Sequence, residues 1–404
     1  MPKPNIDEMI QQLRRRCEQI VPEADLRRKL ARSEATGKPL RIKLGMDPTA
    51  PDVHLGHAVP LKVVRAFQEW GHKAVIIIGD YTARVGDPAG RNSTRPMLTG
   101  EAIDANARTY IEQVGKILLT DPEHLEIRFN GEWLGKMDLV EIIRLAARKS
   151  VAQLLERDTF AERYKKGVDI RLHEFLYPLL QGWDSVCIDA DVEMGGLDQL
   201  FNNLVGRDFQ KAERPDDELA GQVVIVTPLL VGLDGHEKMS KSKGNYVGVT
   251  DPAGGAGGMF GKVMSISDEQ MPTWYRLLTN EPEASWQAAI AASPRDAKVA
   301  LAKNVVAQFH DAAAADQAEK DFVTATHGGV PDDIPEMPLG PGPHNLVEML
   351  VKAGMAQTNS EALRKIREGA VKLDGERLGE SKGPVEINPP AVLQLGKKRF
   401  VRLV

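Results

Sequence analysis

The sequence predicts an α/β protein built on a doubly wound parallel sheet, and three stretches carry that prediction. Lys73 to Gly79 contains Ala-Val-Ile-Ile-Ile, a short apolar run without alternation. Such a run suits a strand buried on both faces, as in a parallel sheet. Arg41 to His57 reads RIKLGMDPTAPDVHLGH. It passes from a β-type run (Leu40 to Leu44) through Gly45 and an Asp-Pro-Thr turn into an amphipathic pattern ending at Trp70. Gly71 and His72 close that helix, as a C-terminal glycine commonly does. The order is strand, helix, strand, the βαβ unit of a doubly wound fold. Gln222 to Thr227 (QVVIVT), closed by Pro228, adds another buried strand.

The chain of 404 residues is long enough for two or three domains and at least one large core. Hydrophobic residues make up 42% and charged residues 27%, ordinary for a globular chain, and the net charge of −5 does not mark the whole molecule as a polyanion binder. The charge is uneven. From His344 onward there are eleven Lys and Arg against seven Asp and Glu, a net of +4, which leaves −9 for the rest. An acidic body with a small basic tail points to nucleic acid at the tail, with a solvated charged surface as the alternative. Cys17 and Cys187 show neither metal spacing nor a disulfide framework, which fits a reducing cytosol. The N-terminal stretch lacks the apolar core of a signal peptide. No apolar run approaches about 18 residues, so no membrane span is expected.

The remaining elements follow in order. Ile6 to Arg32 has helical spacing with a break near Pro22. Glu101 to Leu119 and Met137 to Leu155 read as helices, the second apolar enough to line an oligomer interface or a core. Leu125 to Phe129 reads as a strand. Ile170 to Asp184 is helical, and Ser185 to Val192, with Val186-Cys187-Ile188, reads as a buried strand. Gly195-Gly196 then breaks the chain before a helix from Leu197 to Arg207. Gly254 to Lys262 is glycine-rich, but Ala256 and Val263 occupy positions where a phosphate loop needs Gly and Ser/Thr, so it reads as a flexible segment. Ser267 to Thr324 is largely helical. Gly328 to Pro343, rich in proline and glycine, is a linker by composition. Beyond it lie a helix (Asn345 to Lys352), a capped helix from Ser360 and a hairpin signal at Asp374-Gly375.

The candidate chemistry sits at strand ends. His54 and His57 lie one turn apart on one face at a helix N-terminus, where unpaired N–H groups and the dipole attract anions. Gly56 between them lets a flat ligand approach the backbone. A metal pair or plain surface polarity would use the same spacing. Gly86-Asp87-Pro88-Ala89-Gly90 forms a turn cluster, with Arg91 and Arg95 in the loop beyond a strand end. Ligands of open α/β sheets bind there. Tyr177, Gln181 and Asp184 fall at i, i+4 and i+7 on one helical stripe among apolar neighbours. Buried polar groups need partners, so these three satisfy one another or face a small polar ligand. Asp198 and Gln199 stand at another helix start after a strand. Leu233 to Asn245 (LDGHEKMSKSKGN) is a basic loop bracketed by glycines, with Lys238, Lys241 and Lys243.

His54-Leu55-Gly56-His57 and Lys238-Met239-Ser240-Lys241-Ser242, in this order around an α/β body, resemble the two signatures of class I aminoacyl-tRNA synthetases. Tyr177-x-x-x-Gln181-x-x-Asp184, Gly86-Asp87-Pro88 and Gly195-Gly196-x-Asp198-Gln199 resemble the tyrosine-site motifs of the bacterial tyrosyl enzymes. His344 to the C-terminus resembles an S4 RNA-binding domain. The resemblance covers essentially the whole chain. It implies a Rossmann-like catalytic domain over 1–232, the lysine-serine loop over 233–250, an α-helical anticodon-region domain over 251–327, a linker over 328–343 and a small α+β S4-like domain over 344–404.

The resemblance further implies a two-step reaction, tyrosine plus ATP to tyrosyl-adenylate and pyrophosphate, then transfer of tyrosine to the terminal adenosine of tRNA(Tyr). No protein nucleophile is required. ATP is a substrate, Mg²⁺ accompanies it, and no tightly bound protein metal is expected. Thr49 and His54 are implied at the γ-phosphate, Gly56 at adenine and His57 near the ribose. Lys238 and Lys241 face the leaving pyrophosphate, with Arg91 and Arg95 opposite. Asp198 is implied at the ribose, and Gly45, Asp47, Gly196, Met239 and Ser240 complete the ATP site. Tyr177, Gln181, Asp87 and Gln199 would hold the α-amino end of tyrosine, and Asp184 would accept the phenol proton. Arg364, Lys365 and Arg367 would meet RNA, and a cytoplasmic homodimer is implied. One residue departs from the pattern. Many bacterial tyrosyl enzymes carry a tyrosine on the first strand that also contacts the substrate hydroxyl, and the aligned residue here is Lys43. The competing readings are a tryptophanyl enzyme, a small-molecule adenylyltransferase and a non-catalytic RNA-binding relative.

Overall fold

The computed structural model describes residues 3–48, 52–87, 100–255, 257–326, 334–378, 384–396 and 399–404. Thr49, Arg91 and Arg95 lie outside the described residues, as do Pro88, Ala89, Gly90, Lys397 and Lys398. The chain divides into two compact units. One comprises residues 1–250 and 273–280; the other comprises 251–272 and 281–404.

The first unit is organised by a six-stranded sheet. Its strands are β1 (Gln19–Val21), β2 (Arg41–Met46), β3 (Lys73–Ile78), β4 (Leu125–Phe129), β5 (Val192–Gly196) and β6 (Val223–Thr227), in the order β1-β6-β5-β2-β3-β4. All neighbours are parallel except β1, which runs antiparallel to β6. The chain moves from β2 through β3 to β4, then returns to the other side of β2 at β5. The strand order therefore reverses between β2 and β5, and the crevice beyond their carboxyl ends is the binding position of this fold class. The core follows from composition. Ile76, Ile77 and Ile78 of β3 and every residue of β6 are buried.

Helices α1 (Ile6–Arg16) and α2 (Glu23–Thr36) flank β1, which the sequence pattern missed because it is only three residues of half-buried edge. Asn5 and Glu8 cap α1 reciprocally. Helix α3 (Leu55–Glu69) joins β2 to β3. Then come α4 (Thr82–Val85), α5 (Gly100–Val114), α6 (Gly131–Leu134), α7 (Leu139–Ala146), α8 (Val151–Leu154), α9 (Asp158–Lys165), α10 (Leu172–Cys187) and α11 (Leu200–Glu213). Three expectations are corrected here. The stretch 137–155 is two short helices, because Ser150 caps a new start. The stretch 101–119 stays helical only to Val114. Val186 and Cys187 end α10 and are not a strand; the strand begins at Val192. A short apolar run does not separate a buried helix end from a buried strand.

The second unit holds α12 (Met259–Met264), which occupies part of the glycine-rich segment expected to be irregular. Helix α13 (Met271–Leu278) groups largely with the first unit, and α14 (Glu283–Ala292), α15 (Pro294–Phe309) and α16 (Ala312–Thr326) belong to the second. The C-terminal part contains β7 (Glu336–Met337), β8 (Gly342–His344), α17 (Leu346–Lys352), α18 (Asn359–Arg367), β9 (Val371–Leu373), β10 (Glu376–Arg377), β11 (Val385–Ile387), β12 (Ala391–Leu395) and β13 (Arg399–Leu403). The proline- and glycine-rich stretch is thus only partly linker in character. Its β7 pairs with β13 and its β8 with β11. The hairpin of β9 and β10 turns at Asp374 and Gly375, both with positive φ, as its turn signal required.

Candidate active site

The lysine-serine loop and the histidine motif form two facing walls. His54 is the N-cap of α3, and Leu55 N donates to Val247 O at 2.9 Å while Val249 N donates to Val53 O at 3.0 Å. This short pairing fixes the end of the lysine loop against the helix start. The loop is closed on its other side by Met239 N to Leu230 O at 2.8 Å. Asn245, buried in the middle, accepts from Ser240 N at 2.8 Å and donates to Asp234 Oδ2 at 2.5 Å. Lys238 Nζ bonds Asp198 Oδ2 at 2.9 Å, Lys241 pairs with Asp52, and Lys241 lies over the Tyr246 ring. Asp198 belongs to the turn after β5, so the loop reaches across the point where the strand order reverses. Gly45 faces open space at the end of β2.

The two imidazoles stack with centroids 3.8 Å apart. A Cβ on Gly56 would stand 2.9 Å from the His54 ring and 3.6 Å from Met239 Cβ, so glycine is what lets the rings and the loop approach. Burial lowers the pKa of His54 to about 2 and that of His57 to about 4, with the facing lysines acting in the same direction. Both are neutral hydrogen-bonding rings at physiological pH. His57 Nδ1 accepts from His54 N at 3.3 Å, and His54 Nδ1 is buried without a hydrogen-bond partner among the described residues. At Gly196, a Cβ would stand 2.8 Å from Asp198 Oδ1, so the strand end is shaped around that carboxylate.

The polar stripe of α10 faces inward, as its spacing predicts. Tyr177 OH donates to Asp47 Oδ2 at 2.9 Å, and Thr82 Oγ1 donates to Asp47 Oδ1 at 2.8 Å. Asn130 Nδ2 reaches Thr82 Oγ1 at 3.0 Å and Asp184 Oδ2 at 3.2 Å. Trp133 Nε1 holds Asp184 Oδ1 at 2.8 Å. A continuous hydrogen-bonded chain therefore runs from Tyr177 through Asp47, Thr82 and Asn130 to Asp184 and Trp133. Burial raises Asp47 to about 7 and Asp184 to about 6, with the hydrogen bonds opposing the rise. Asp87 is held by Arg157 at 3.0 Å and by Gln199 Nε2 at 2.8 Å. Asn202 Nδ2 bridges Gln199 Oε1 at 3.0 Å and Gln181 Oε1 at 2.9 Å. Sequence reasoning missed Asp52, Asn130, Trp133, Arg157, Asn202 and Asn245. Asp52, Asn130, Trp133 and Arg157 meet partners remote in sequence, and Asn202 and Asn245 are single amides inside a helix and a loop, so no local pattern marks any of them.

In the C-terminal part, Arg364 and Arg367 are exposed on α18, opposite the buried Ala362 and Ile366, and Lys365 pairs with Glu368 at 2.8 Å. Among the described residues no three His, Cys, Asp or Glu side chains gather as metal ligands, and no helix is long and apolar enough to cross a membrane.

The chain is also similar to known proteins. The family model for class I tRNA synthetases (W and Y) matches residues 35–326, and that for the tyrosine–tRNA ligase SYY-like C-terminal domain matches 327–402. The chain is 49% identical over 395 residues to the tyrosine–tRNA ligase of Ralstonia nicotianae, covering 96% of this chain and 98% of the relative. It is 49% identical to that of Shewanella oneidensis over 99% of both chains. Among solved structures, a C-terminally truncated mitochondrial tyrosyl-tRNA synthetase of Aspergillus nidulans superposes with a TM-score of 0.64 at 24% identity, covering 78% of this chain and 93% of that one. Tyrosyl-tRNA synthetase of Archaeoglobus fulgidus, complexed with L-tyrosine, gives 0.60 at 23% identity, covering 77% and 99%.

Proposed function

Because the chain belongs to the class I tyrosyl-tRNA synthetase family, we propose that it activates L-tyrosine with ATP and transfers the tyrosyl group to the 3′-terminal adenosine of tRNA(Tyr). The observation that carries this reading is the pairing that sets the Lys238–Ser242 loop against the His54–His57 helix start beside the α10 pocket. The tyrosine carboxylate attacks the α-phosphate of ATP, the bond to the bridging oxygen breaks, and pyrophosphate leaves. Positioning and charge stabilisation supply the rate. His54, with Thr49, donates to the phosphates as a neutral ring, and His57 lies near the ribose. Gly45, Asp47, Gly56, Gly196, Met239 and Ser240 line the nucleotide site. Asp198 takes the ribose hydroxyls when ATP enters. That exchange releases Lys238 to the pyrophosphate, joined by Lys241, Arg91 and Arg95. Mg²⁺ accompanying ATP would neutralise charge on its phosphates, held by them and by water, since among the described residues no carboxylate or histidine cluster gathers to hold it.

Tyr177, Gln181, Asp87 and Gln199 hold the amino end of tyrosine. Asp184 accepts the phenol proton, its carboxylate aimed by Trp133 and Asn130. Phenylalanine leaves that carboxylate without its hydroxyl. Arg364, Lys365 and Arg367 offer a basic helix face for tRNA. The enzyme works as a homodimer in the cytoplasm. Leu139, Val140 and Ile143 of α7 and Val151 of α8 are more than half exposed, an apolar patch suited to a second copy, and Cys17 and Cys187 are free thiols, which suits a reducing compartment. ATP–pyrophosphate exchange with each amino acid tests the reading. Exchange is expected with tyrosine; dependence on tryptophan, or silence with tyrosine, would overturn it.

A further inference from the structure

The geometry points to Lys43 as a positioning residue for phenol recognition, acting through Asp184 and the seating of α10. This inference rests on the proposed tyrosine pocket and deepens it. Lys43 projects from β2 and is fully buried, and so is its ion-pair partner Glu193 on β5. Its ammonium reaches three acceptors: Gln181 O at 2.9 Å, Ser185 Oγ at 2.7 Å and Glu193 Oε1 at 2.9 Å. An ammonium has three protons, so none is left for a substrate hydroxyl. Lys43 therefore does not replace the tyrosine of related enzymes as a direct phenol partner.

Two of its three bonds go to α10, at Gln181 and Ser185, the turn that also carries Asp184. Glu193 binds the same turn, through Ser185 Oγ at 3.1 Å and Gln181 Nε2 at 3.3 Å, and it also takes Gln222 Nε2. The pair pins the recognition turn of α10 to the two central strands. A buried ion pair is a poor source of net stability, since well-packed apolar residues often do as well. Its use here is electrostatic. Lys43 bonds Ser185, the residue next to Asp184, and is the strongest influence opposing the effect of burial on that carboxylate; Glu193 acts the other way. The other charged or titratable groups around Asp184 are Asp47 after β2, Cys187 on α10 itself and Arg128 of β4, stacked on Trp133.

These opposite influences separate positioning from simple structural support. Both K43Q and E193Q break the ion pair, so a structural role predicts similar losses in each. The positioning role predicts opposite shifts in the pH dependence of the tyrosine KM. Exchange is measured in the full-length protein from pH 5 to 9 with tyrosine and phenylalanine, with thermal unfolding as a fold control. K43Q is expected to move the tyrosine profile up by about one pH unit and so to lower the tyrosine-to-phenylalanine ratio about twofold at pH 7 and about tenfold at pH 5, with the ATP KM within about twofold of the parent. E193Q is expected to move the profile down. It is nearly isosteric, so its downward shift stands as the test should K43Q fail to fold. Shifts of the same sign, or profiles that match the parent, would overturn the inference. Absence of tyrosine-dependent exchange in the parent would instead fault the assigned function.

Discussion

His54 and His57 are kept neutral by burial and by the two lysines facing them, so cationic work in the site falls to the lysine loop. Lys238→Ala should therefore slow adenylate formation by about two orders of magnitude or more while leaving the tyrosine KM within a few-fold, because the charge matters where pyrophosphate develops. Single-turnover adenylate formation set against equilibrium tyrosine binding would check this; equal losses would contradict it. In the proposed tyrosine pocket, Asp184 is the residue on which selection turns. Asp184→Asn should lower tyrosine discrimination over phenylalanine by about tenfold or more, since one hydrogen bond to a charged acceptor is worth roughly 1.5–3 kcal/mol. In the parent, protonation of Asp184 near pH 6 should raise the tyrosine KM on the acid side while leaving the phenylalanine KM nearly flat, since phenylalanine has no hydroxyl for that carboxylate.

At the scale of elements, α10 combines a packing face with a recognition face. Leu179 and Leu180 enter the apolar cluster with Val205 and Phe209, while Tyr177, Gln181 and Asp184 meet the polar chain. The lysine loop is held at three places, by the pairing at 247–249, the turn bonded at Leu230 and Asn245 between them. The strap is anchored at both ends while its lysines reach across the crevice, which suits the proposed exchange of Asp198 for phosphates. Helix α18 is the matching element of the C-terminal part. Arg364→Glu combined with Arg367→Glu should weaken tRNA charging about tenfold or more and flatten its salt dependence, with pyrophosphate exchange unchanged. Charging assays over a salt series would show it, and undiminished charging would remove α18 from the tRNA surface.

For the whole molecule, Ile143→Asp places a charge in the apolar patch of α7 and should shift the proposed dimer to monomer, read by light scattering; a parent that is itself monomeric, or an unchanged dimer, would remove this patch as the interface. Stability against pH reflects two opposing sets of groups. Asp47 and Asp184 have folded pKa values raised to about 7 and about 6, so their contribution is full below the unfolded value and lost as pH rises through those points. His54, His57 and His72 have folded values lowered to about 2, 4 and 4, so theirs is present above the unfolded value of 6.5 and lost as pH falls. Between pH 6.5 and 5 the histidines destabilise the fold and the carboxylates offset part of that. The double variant Asp47→Asn/Asp184→Asn should make the acid-side loss of stability steeper, measured as the urea midpoint of the catalytic unit against pH. A slope equal to that of the parent would contradict the assignment.

The sequence by itself determined the parallel sheet, the two signature motifs, the polar stripe of α10 and the basic C-terminal module. Each rests on periodicity or on a short contiguous pattern, and those survive without knowledge of the fold. The same local reading failed at Val186-Cys187-Ile188, where a helix end looked like a strand, and at β1, where three residues gave no pattern. Only the tertiary structure decided what the lone polar residues do. Asn130 and Trp133 come to Asp184 from over fifty positions away, and Asp52 meets Lys241 across the crevice. Lys43 is the clearest case. On the first strand it is only a residue out of pattern. In the folded chain it is a buried charge whose three bonds are already committed, and that depends on β5 and α10 arriving beside it.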